Sequence, residues 1–267
     1  MNKTEVVERL AIIKHKNRPT VKDYIPLIFD EFFELHGDRY YGDDKAILAG
    51  VARLCGEPVT VIAQVKGRNL AENKKSNFSM PHPEGYRKAL RLIKQAEKFK
   101  RPVICFIDTP GAFCGIAAEE RGQGEAIARN LMEMMRVKTP VISVVLGEGG
   151  SGGALALGVC DKLGMLSNAV YSVISPRGCA SILWKDAERE HEAAEILKIT
   201  AEDLVNFRVA DTIIKEPKGG AHKDPKETAE NIKEYLIKSI KDVKISTVEK
   251  MLLKRYNRYR SIGEFSE

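Results

Sequence analysis

A chain of 267 residues with 43% hydrophobic and 30% charged residues can bury a sizeable core, and this balance is typical of a soluble globular protein. The formal net charge of +6 is too small for a dedicated nucleic-acid binder, and no run approaches the ~18 apolar residues of a membrane span. The five cysteines share no CxxC spacing, which disfavours a disulfide framework and a zinc site and indicates a reducing, cytoplasmic compartment.

The predicted organisation is a single domain over residues 1–267, with a helical N-terminal arm at 1–45 and a helical C-terminus at 226–267. A Lys-His-Lys sequence at 14–16 interrupts the short apolar patch of the arm. The start of the chain therefore does not resemble a signal peptide. No low-complexity linker marks a domain boundary.

Three runs at 57–67, 101–108 and 139–147 share one pattern. Each has a proline near its start, which the first position of a strand tolerates because its N–H is not needed there. Each continues with a short series rich in Val and Ile, typical of a strand that is buried on both faces. Glycines and helix-forming sequence follow the second and third runs, so the order predicts a parallel-sheet α/β fold.

Two helices are predicted between these strands, at 84–100 and 116–137. The first places an apolar stripe at helical spacing, formed by Tyr86, Ala89, Leu90, Ile93, Ala96 and Phe99. The buried side of the second is expected to carry Ile127, Leu131, Met134 and Met135.

The strongest functional signal is the segment 147–158, in which five of the first seven residues are glycine. The segment lies where the third strand is expected to end and a helix to begin. The first N–H groups of a helix lack internal partners and lie at the positive end of its dipole, so they can stabilise an oxyanion. Tight packing of helix against strand is the structural alternative.

The same segment matches the G-x-S-x-G pattern of a nucleophile elbow around Ser151. The match is weak, because a run of glycines fits many patterns. A serine nucleophile also needs a histidine base, and none of the five histidines has a recognisable supporting context. A hydrolase is therefore the lesser hypothesis.

A second glycine turn lies at 108–115, after the second strand. Because the carboxyl ends of parallel strands open on one face of the sheet, both turns are expected there. Asp108 is a candidate general base, although an Asp that closes a strand is more often a cap. Cys114 has no nearby histidine in sequence to lower its pKa, so inert packing is expected.

Basic side chains form the third feature. The end of the first strand carries Lys66 and Arg68, and one stripe of the first helix carries Arg87, Arg91, Lys94 and Lys98. A solvated helix face is the default interpretation. The alternative is a docking surface for phosphates, such as those of coenzyme A.

Eight strings occur in a specific order along the chain. They are FDEF at 29–32, HGDR at 36–39, PEGYRKALR at 83–91, IDTPGA at 107–112, AEERGQ at 118–123, GEGGSGGA at 147–154, YSVISP at 171–176 and GCASILW at 178–184. Together they resemble the carboxyltransferase α subunit of bacterial acetyl-CoA carboxylase, from about residue 18 to residue 260. The resemblance implies a crotonase-like fold, a spiral of strand–strand–helix units with helical N- and C-terminal extensions.

The same resemblance implies a reaction and its partners. A carboxyl group would pass from N-carboxybiotin, held on the biotin carboxyl carrier protein, to acetyl-CoA, giving malonyl-CoA for fatty acid biosynthesis. Activity would require a β subunit, in an α2β2 assembly that works with biotin carboxylase, and this chain would hold no metal. In the wider family, the half that corresponds to this chain holds the biotin side, and the β subunit supplies most of the acyl-CoA side.

By the same motif match, the backbone N–H groups of Gly152, Gly153 and Ala154 would form an oxyanion hole for biotin, and a side chain at Gly153 would block the ureido oxygen of this ligand. Gly111 and Ala112 would line the same cleft. The other predicted substrate-binding residues are Gly149, Gly150, Lys66, Arg68, Arg87 and Arg91. Biotin itself can take the acetyl proton, so no protein acid or base is implied.

The chain departs from the family pattern at three places. Gln64 and Val65 stand where the family usually has His-Gln, Phe113 and Cys114 where it has Tyr-Pro, and Arg177 where it has Glu. None of the three lies in the turn that starts the helix after the third strand. The reaction class is therefore expected to stand, whereas the identity of the substrate and the partner contacts near Arg177 are left open.

Three other functions stay open. A crotonase-type hydratase or isomerase would need a carboxylate over a CoA thioester, for which Glu119, Glu120 and Glu148 are the candidates. A carboxyltransferase subunit for another acyl-CoA would use the same turns. A non-catalytic scaffold would follow if the glycine turns served packing alone.

Overall fold

The computed structural model describes the chain from residue 3 to residue 263, with side chains from residue 6. The predictions for both ends of the chain therefore reach beyond the described residues. None of the helices in this range combines the length and the apolar character that a bilayer crossing needs.

Within that range, eight strands form one mixed sheet. They are β1 (Glu31–Glu34), β2 (Ile47–Leu54), β3 (Glu57–Gln64), β4 (Val103–Thr109), β5 (Val141–Gly150), β6 (Lys162–Leu166), β7 (Val170–Ser172) and β8 (Thr212–Ile214). The order across the sheet is β1-β2-β3-β4-β5-β6-β8, and β7 pairs with β5. The first three strands are antiparallel neighbours, and all the other pairs are parallel.

Twelve α-helices lie in the described part of the chain. They are α1 (Lys3–Ile13), α2 (Val21–Ile28), α3 (Leu70–Lys75), α4 (Pro83–Lys98), α5 (Ile116–Glu120), α6 (Gln123–Arg136), α7 (Ser151–Gly158), α8 (Pro176–Trp184), α9 (Glu190–Leu197), α10 (Ala201–Asn206), α11 (Pro225–Lys244) and α12 (Val248–Arg260). The expected helical arm over 1–45 therefore stops at Ile28. The Phe-Phe pair that follows favours a strand, and β1 pairs with β2 along its whole length.

The three proline-led runs form β3, β4 and β5, and they are parallel neighbours as predicted. Every residue of β4 is buried, as are the first seven residues of β5. A strand covered on both faces needs apolar side chains at successive positions, which explains why these runs are rich in Val and Ile. These strands form the middle of the main hydrophobic core.

Two details of the predicted helices are wrong. Phe99, assigned to the apolar stripe of the first helix, is 58% exposed at the end of α4, while Leu92 is fully buried. The predicted helix over 116–137 is divided into α5 and α6 at Gly122, whose φ of 81° lies in the left-handed region that favours glycine. The break changes the buried face of α6, which consists of Gln123, Ala126, Asn130 and Met134.

The C-terminal helix α12 is anchored by Arg255, whose side chain is fully buried. It forms an ion pair with Asp161 at 2.7 Å. Its guanidinium also donates to the carbonyls of Met134, Val137 and Thr139 at 2.8–3.1 Å. One side chain thus ties α12 to the end of α6 and to the segment that enters β5.

Candidate active site at two glycine turns

The glycine-rich segment is a strand for longer than predicted. β5 continues to Gly150, because Glu148–Gly150 pair with Val170–Ser172 of β7. Gly149 also pairs with Thr109 at the end of β4. Helix α7 then begins at Ser151, so the first glycine turn lies at Gly150 and Ser151.

The first turn of α7 has no side-chain cap, since its N-cap residue is Gly150. The N–H groups of Gly152 and Gly153 lie in that turn, beyond the reach of carbonyls within the helix. The N–H of Ala154 is the first that can bond inside the helix, to the carbonyl of Gly150. Of the three predicted donors, Ala154 is therefore the least available.

The two glycine turns touch each other at Gly153. A Cβ added to Gly153 would lie 2.4 Å from the backbone nitrogen of Ala112 and 2.5 Å from the carbonyl carbon of Gly111. The space next to Gly153 is therefore filled by backbone and not by a ligand. The expectation that a side chain at Gly153 would block a ligand is wrong, because it would first separate the two turns.

Packing also explains most of the other glycines. A Cβ at Gly147 would lie 2.7 Å from the Asp108 carboxylate, one at Gly149 2.6 Å from the Tyr171 ring, and one at Gly150 2.1 Å from the carbonyl of Pro110. Gly152 differs, because its nearest contact, with Ile127, would be an ordinary 3.7 Å. Tight packing thus accounts for four of the five glycines, and Gly152 is the open position.

Asp108 supports the first turn and is not a free base. Its carboxylate is buried and accepts a hydrogen bond from Glu148 N–H at 2.9 Å. The Lys66 ammonium lies 3.6 Å from the same carboxylate and 2.6 Å from the Glu148 carboxylate. This arrangement agrees with the structural alternative for Asp108, in which it caps a backbone N–H.

An apolar cavity of about 460 Å³ adjoins the turns at Pro110, Gly149 and Gly150. Its opposite walls come from α1, β7, α8 and the segment before α10, and they are mostly aliphatic, with Val7, Leu10, Ala11, Val170, Ile174, Pro176 and Ile199. Arg177 and His191 lie at the same cavity. The reversed charge at Arg177 is therefore near the candidate site.

A second cavity, of about 300 Å³, lies beside the first and is lined by charged groups. Its basic residues are Lys14, His15, Lys16, Arg18, Lys66 and Arg68, and its acidic residues are Asp108 and Glu148. Lys14 and Glu148 line both cavities, so the Lys66–Glu148 ion pair stands at their boundary. Lys66 thus lies next to the first glycine turn, and its predicted role in substrate binding stays a prediction.

Arg68, Arg87 and Arg91 make contacts within the chain. Arg68 forms an ion pair with Asp23, and Arg87 Nε donates to Asp38 at 2.8 Å. Arg91 donates to the carbonyls of Gly37 and His36 at 3.1 Å. Arg87 and Arg91 line neither cavity, and both fasten the loop before β2 to α4. These contacts favour a structural role for that stripe.

Sequence reasoning missed Arg18, which is buried next to the end of β5. Its guanidinium pairs with Glu216 at 2.8 Å and donates to the carbonyl of Leu146 at 2.6 Å. Burial alone would raise the pKa of Glu216, but Arg18, together with hydrogen bonds from Asn168, outweighs burial and lowers it. No local pattern marks this pair, because its members lie 198 residues apart.

The second glycine turn rests on His82 and Gln123. The His82 ring stacks on Phe113 with centroids 4.1 Å apart. Gln123 Nε2 donates to the carbonyl of Phe113 at 2.9 Å and to that of Pro81 at 2.8 Å. Cys114 is exposed, so its predicted inert packing is wrong, because Phe113 and not Cys114 faces the supporting residues.

Ser151 has no hydrolase partner in residues 3–263. The hydrogen bonds of the histidine rings go to Asp43, Arg121 and the backbone of Asn17, and none reaches Ser151. Nor does this range contain a group of three or more His, Cys, Asp or Glu side chains that could hold a metal ion.

Comparison with known proteins decides the family. Residues 1–263 match the family model described as acetyl co-enzyme A carboxylase carboxyltransferase-like. The chain belongs to this carboxyltransferase family. It is 62% identical over 254 residues to the acetyl-coenzyme A carboxylase carboxyl transferase subunit alpha of Clostridium perfringens, covering 95% of this chain and 94% of that one. The predicted assignment to carboxyltransferase α subunits is confirmed.

Two further similarities concern partners and fold. A Clostridium tetani protein named for subunits beta/alpha is 56% identical over 99% of this chain, which covers 46% of that relative. The crystal structure of transcarboxylase 12S superposes with a TM-score of 0.66 at 21% identity, over 87% of this chain and 44% of that chain. This likeness confirms the crotonase-like fold that was predicted for this chain.

Proposed function

We propose that this α subunit carries the biotin side of acetyl-CoA carboxylation. The carboxyl group of N-carboxybiotin, on a separate carrier protein, passes to acetyl-CoA, giving malonyl-CoA for fatty acid biosynthesis. One observation carries the proposal: the uncapped first turn of α7 follows directly after Gly149 and Gly150, which line an apolar cavity, and it contacts the second glycine turn at Gly153.

In this proposal the residues of this chain bind and orient biotin. The first-turn N–H groups at Gly152 and Gly153 stabilise negative charge on the ureido oxygen, and Gly111 and Ala112 hold that turn in place. The aliphatic walls exclude water, and about 460 Å³ falls within the usual range for a small-ligand pocket. When bound, biotin supplies the carboxyl group and accepts the acetyl proton. Glu148 is not required as a base, and its carboxylate is held by Lys66.

A β subunit completes the enzyme in this proposal. Two carbonyl oxygens need stabilisation, one on biotin and one on the thioester. The uncapped turn at the start of α7 is assigned to the biotin oxygen, so the β subunit is expected to stabilise the thioester oxygen. The Clostridium tetani relative, named for both subunits, supports such a pairing. We assign the complex to the cytoplasm, as an α2β2 assembly that works with the carrier protein and biotin carboxylase.

The test is the reverse reaction, with malonyl-CoA and biocytin as substrates. We expect the purified chain alone to be inactive, and addition of a β subunit to give acetyl-CoA in a biocytin-dependent manner. Hydration of crotonyl-CoA by the chain alone, measured in parallel, is expected to be absent. Turnover by the isolated chain, or turnover by the complex without biocytin, would contradict the proposal.

A further inference from the structure

Gln64, the last residue of β3, joins the two glycine turns through its side-chain amide. Its Oε1 accepts a hydrogen bond from Asp108 N–H at 3.1 Å, and its Nε2 donates to the carbonyl of Gly153 at 2.8 Å. The residue is 1% exposed. Because one partner is a donor and the other an acceptor, the reversed amide would face like groups on both sides, so its orientation is fixed.

A buried amide at this position needs a reason. The neighbouring buried positions of the strand are apolar, at Val61, Ile62 and Ala63. A methionine or leucine would fill a similar volume without the cost of burying a polar group. The contribution that is specific to Gln64 is the connection between its two backbone partners.

The carbonyl that Gln64 holds belongs to a planar peptide shared with the N–H of Ala154. Fixing Gly153 O therefore fixes the direction of that peptide and the height of the first turn of α7 above the end of β4. On its other side, Gly153 contacts the backbone of Gly111 and Ala112 directly. The turn is thus held from two sides, by the side chain of Gln64 on one and by the backbone of Gly111 and Ala112 on the other.

We infer that Gln64 is a positioning residue for carboxyl transfer. It keeps the first-turn N–H groups of α7 in register with the second glycine turn without contacting substrate itself. The inference rests on the proposed function of this site. A displacement of about 1 Å in such a turn can lower a rate by roughly 100-fold, so two hydrogen bonds are enough to affect turnover.

The test compares four variants in complex with a β subunit, assayed with malonyl-CoA and biocytin. Gln64→Met removes both hydrogen bonds at similar volume, Gln64→Glu keeps the acceptor but not the donor, and Gln64→His keeps one of each. Thr60→Val is the matched control. Thr60 is buried on the same strand, and its hydroxyl accepts from Arg101 Nε at 3.2 Å, far along β3 from the turns.

We expect kcat to fall about 10- to 100-fold in Gln64→Met and Gln64→Glu, with KM for both substrates changed by less than about twofold. Gln64→His should recover most of kcat, and Thr60→Val should keep the wild-type value. If Gln64→Met does not fold, the near-isosteric Gln64→Glu decides. A kcat within about twofold of wild type in a folded Gln64 variant overturns the inference, and so does an equal loss in Thr60→Val.

Hydrogen exchange separates this inference from the proposed function. A wild-type complex that does not turn over malonyl-CoA contradicts the proposed function. The amides of Asp108 and Ala154, both hydrogen-bonded in the wild type, should even then exchange faster in Gln64→Met than in Thr60→Val. Equal exchange rates in the two variants overturn the positioning role.

Discussion

The ammonium of Lys66 lies 2.6 Å from the carboxylate of Glu148, at the boundary between the apolar and the basic cavity. Asp108 approaches the same ammonium at 3.6 Å while its carboxylate holds the N–H of Glu148. Backbone and side chain of Glu148 are therefore fixed by two residues from the ends of neighbouring strands. Lys66, Asp108 and Glu148 thus form a three-residue cluster that fixes the end of β5 just before the first glycine turn.

Replacement of Lys66 by Met should destabilise this cluster. We expect Lys66→Met to lower the free energy of unfolding by about 2 kcal/mol, the scale of a hydrogen bond to a charged group. Glu148→Gln should cost less, because its amide oxygen still accepts from Lys66. Urea denaturation of both variants and of the double variant measures the coupling, and strictly additive effects would contradict the ion pair.

The same pair predicts a pH dependence. Burial alone would lower the pKa of Lys66, but the charges of Asp108 and Glu148 outweigh it and raise the pKa above 10.5. The contribution of Lys66 is then fully present below pH 10.5 and is lost as pH rises through the folded-state value. The stability difference between wild type and Lys66→Met should therefore be constant from about pH 7 to pH 10.

Substitution should reduce mainly stability at Gly153 and mainly activity at Gly152. Gly153→Ala places a methyl group 2.4 Å from the backbone of Ala112, so we expect a loss of about 3 kcal/mol in unfolding free energy. Gly152→Val meets its nearest neighbour at 3.7 Å and should remain folded, but it crowds the open N–H groups and should lower kcat by ~100-fold. Thermal unfolding and the biocytin assay on both variants test this, and a stable, inactive Gly153→Ala would reverse the assignment.

Ser151 is exposed at the first glycine turn, and the proposed function gives its hydroxyl no role as a nucleophile. We expect Ser151→Ala to keep kcat within about threefold of wild type, because only a hydroxyl at the edge of the site is removed. A nucleophile would instead lose nearly all activity on removal. Loss of turnover in a folded Ser151→Ala complex would favour the nucleophile-elbow hypothesis.

The Arg87–Asp38 pair should matter for stability and not for coenzyme A. Burial alone would raise the pKa of Asp38, but Arg87 and the N–H groups of Tyr40, Tyr41 and Gly42 outweigh it and lower the pKa below 3.8. Arg87→Met should cost ~3 kcal/mol, as expected when one partner of a buried pair is removed. Its KM for malonyl-CoA should equal that of wild type.

Unfolding measurements at acid pH provide a further test of Arg87→Met. The stabilisation from Asp38 is present above pH 3.8 and is lost as pH falls through the folded-state pKa, so wild type should lose more stability in acid than Arg87→Met. Lys98→Met, on the exposed end of the same stripe, is the control and should change neither quantity. A raised KM with unchanged stability would instead support phosphate docking.

The parts of the fold that sequence could predict are those with a local cause. The strands at Val103–Thr109 and Val141–Gly150 are buried on both faces, so apolar residues fill most of their successive positions and identify them in the sequence. The break at Gly122 was missed although residues 119–125 contain two glycines and no apolar side chain, which is a local signal for a helix end. Gly122 adopts the left-handed φ that a glycine allows there.

In the candidate site, too, only the features with a local cause could be predicted from the sequence. The glycine-rich start of α7 and the cap at Asp108 could be predicted from position and residue type. The packing role of Gly153 could not, because it depends on a second turn some forty residues away in sequence that reaches Ala112. Likewise, Arg18 and Glu216 meet only after the sheet has formed, and charge pairs at a separation of 198 residues leave no sequence signal.

Arg255 has a consequence for the order of folding during synthesis. Its acceptors at the end of α6 include Met134, which leaves the ribosome 121 residues earlier. At typical elongation rates of 5–20 residues per second, these carbonyls wait on the order of 10 s for their donor. Until then, the entry to the strand that ends in the first glycine turn lacks its final support. The nascent chain therefore presents an incomplete core to chaperones and proteases during those seconds, and only the emergence of α12 closes that window.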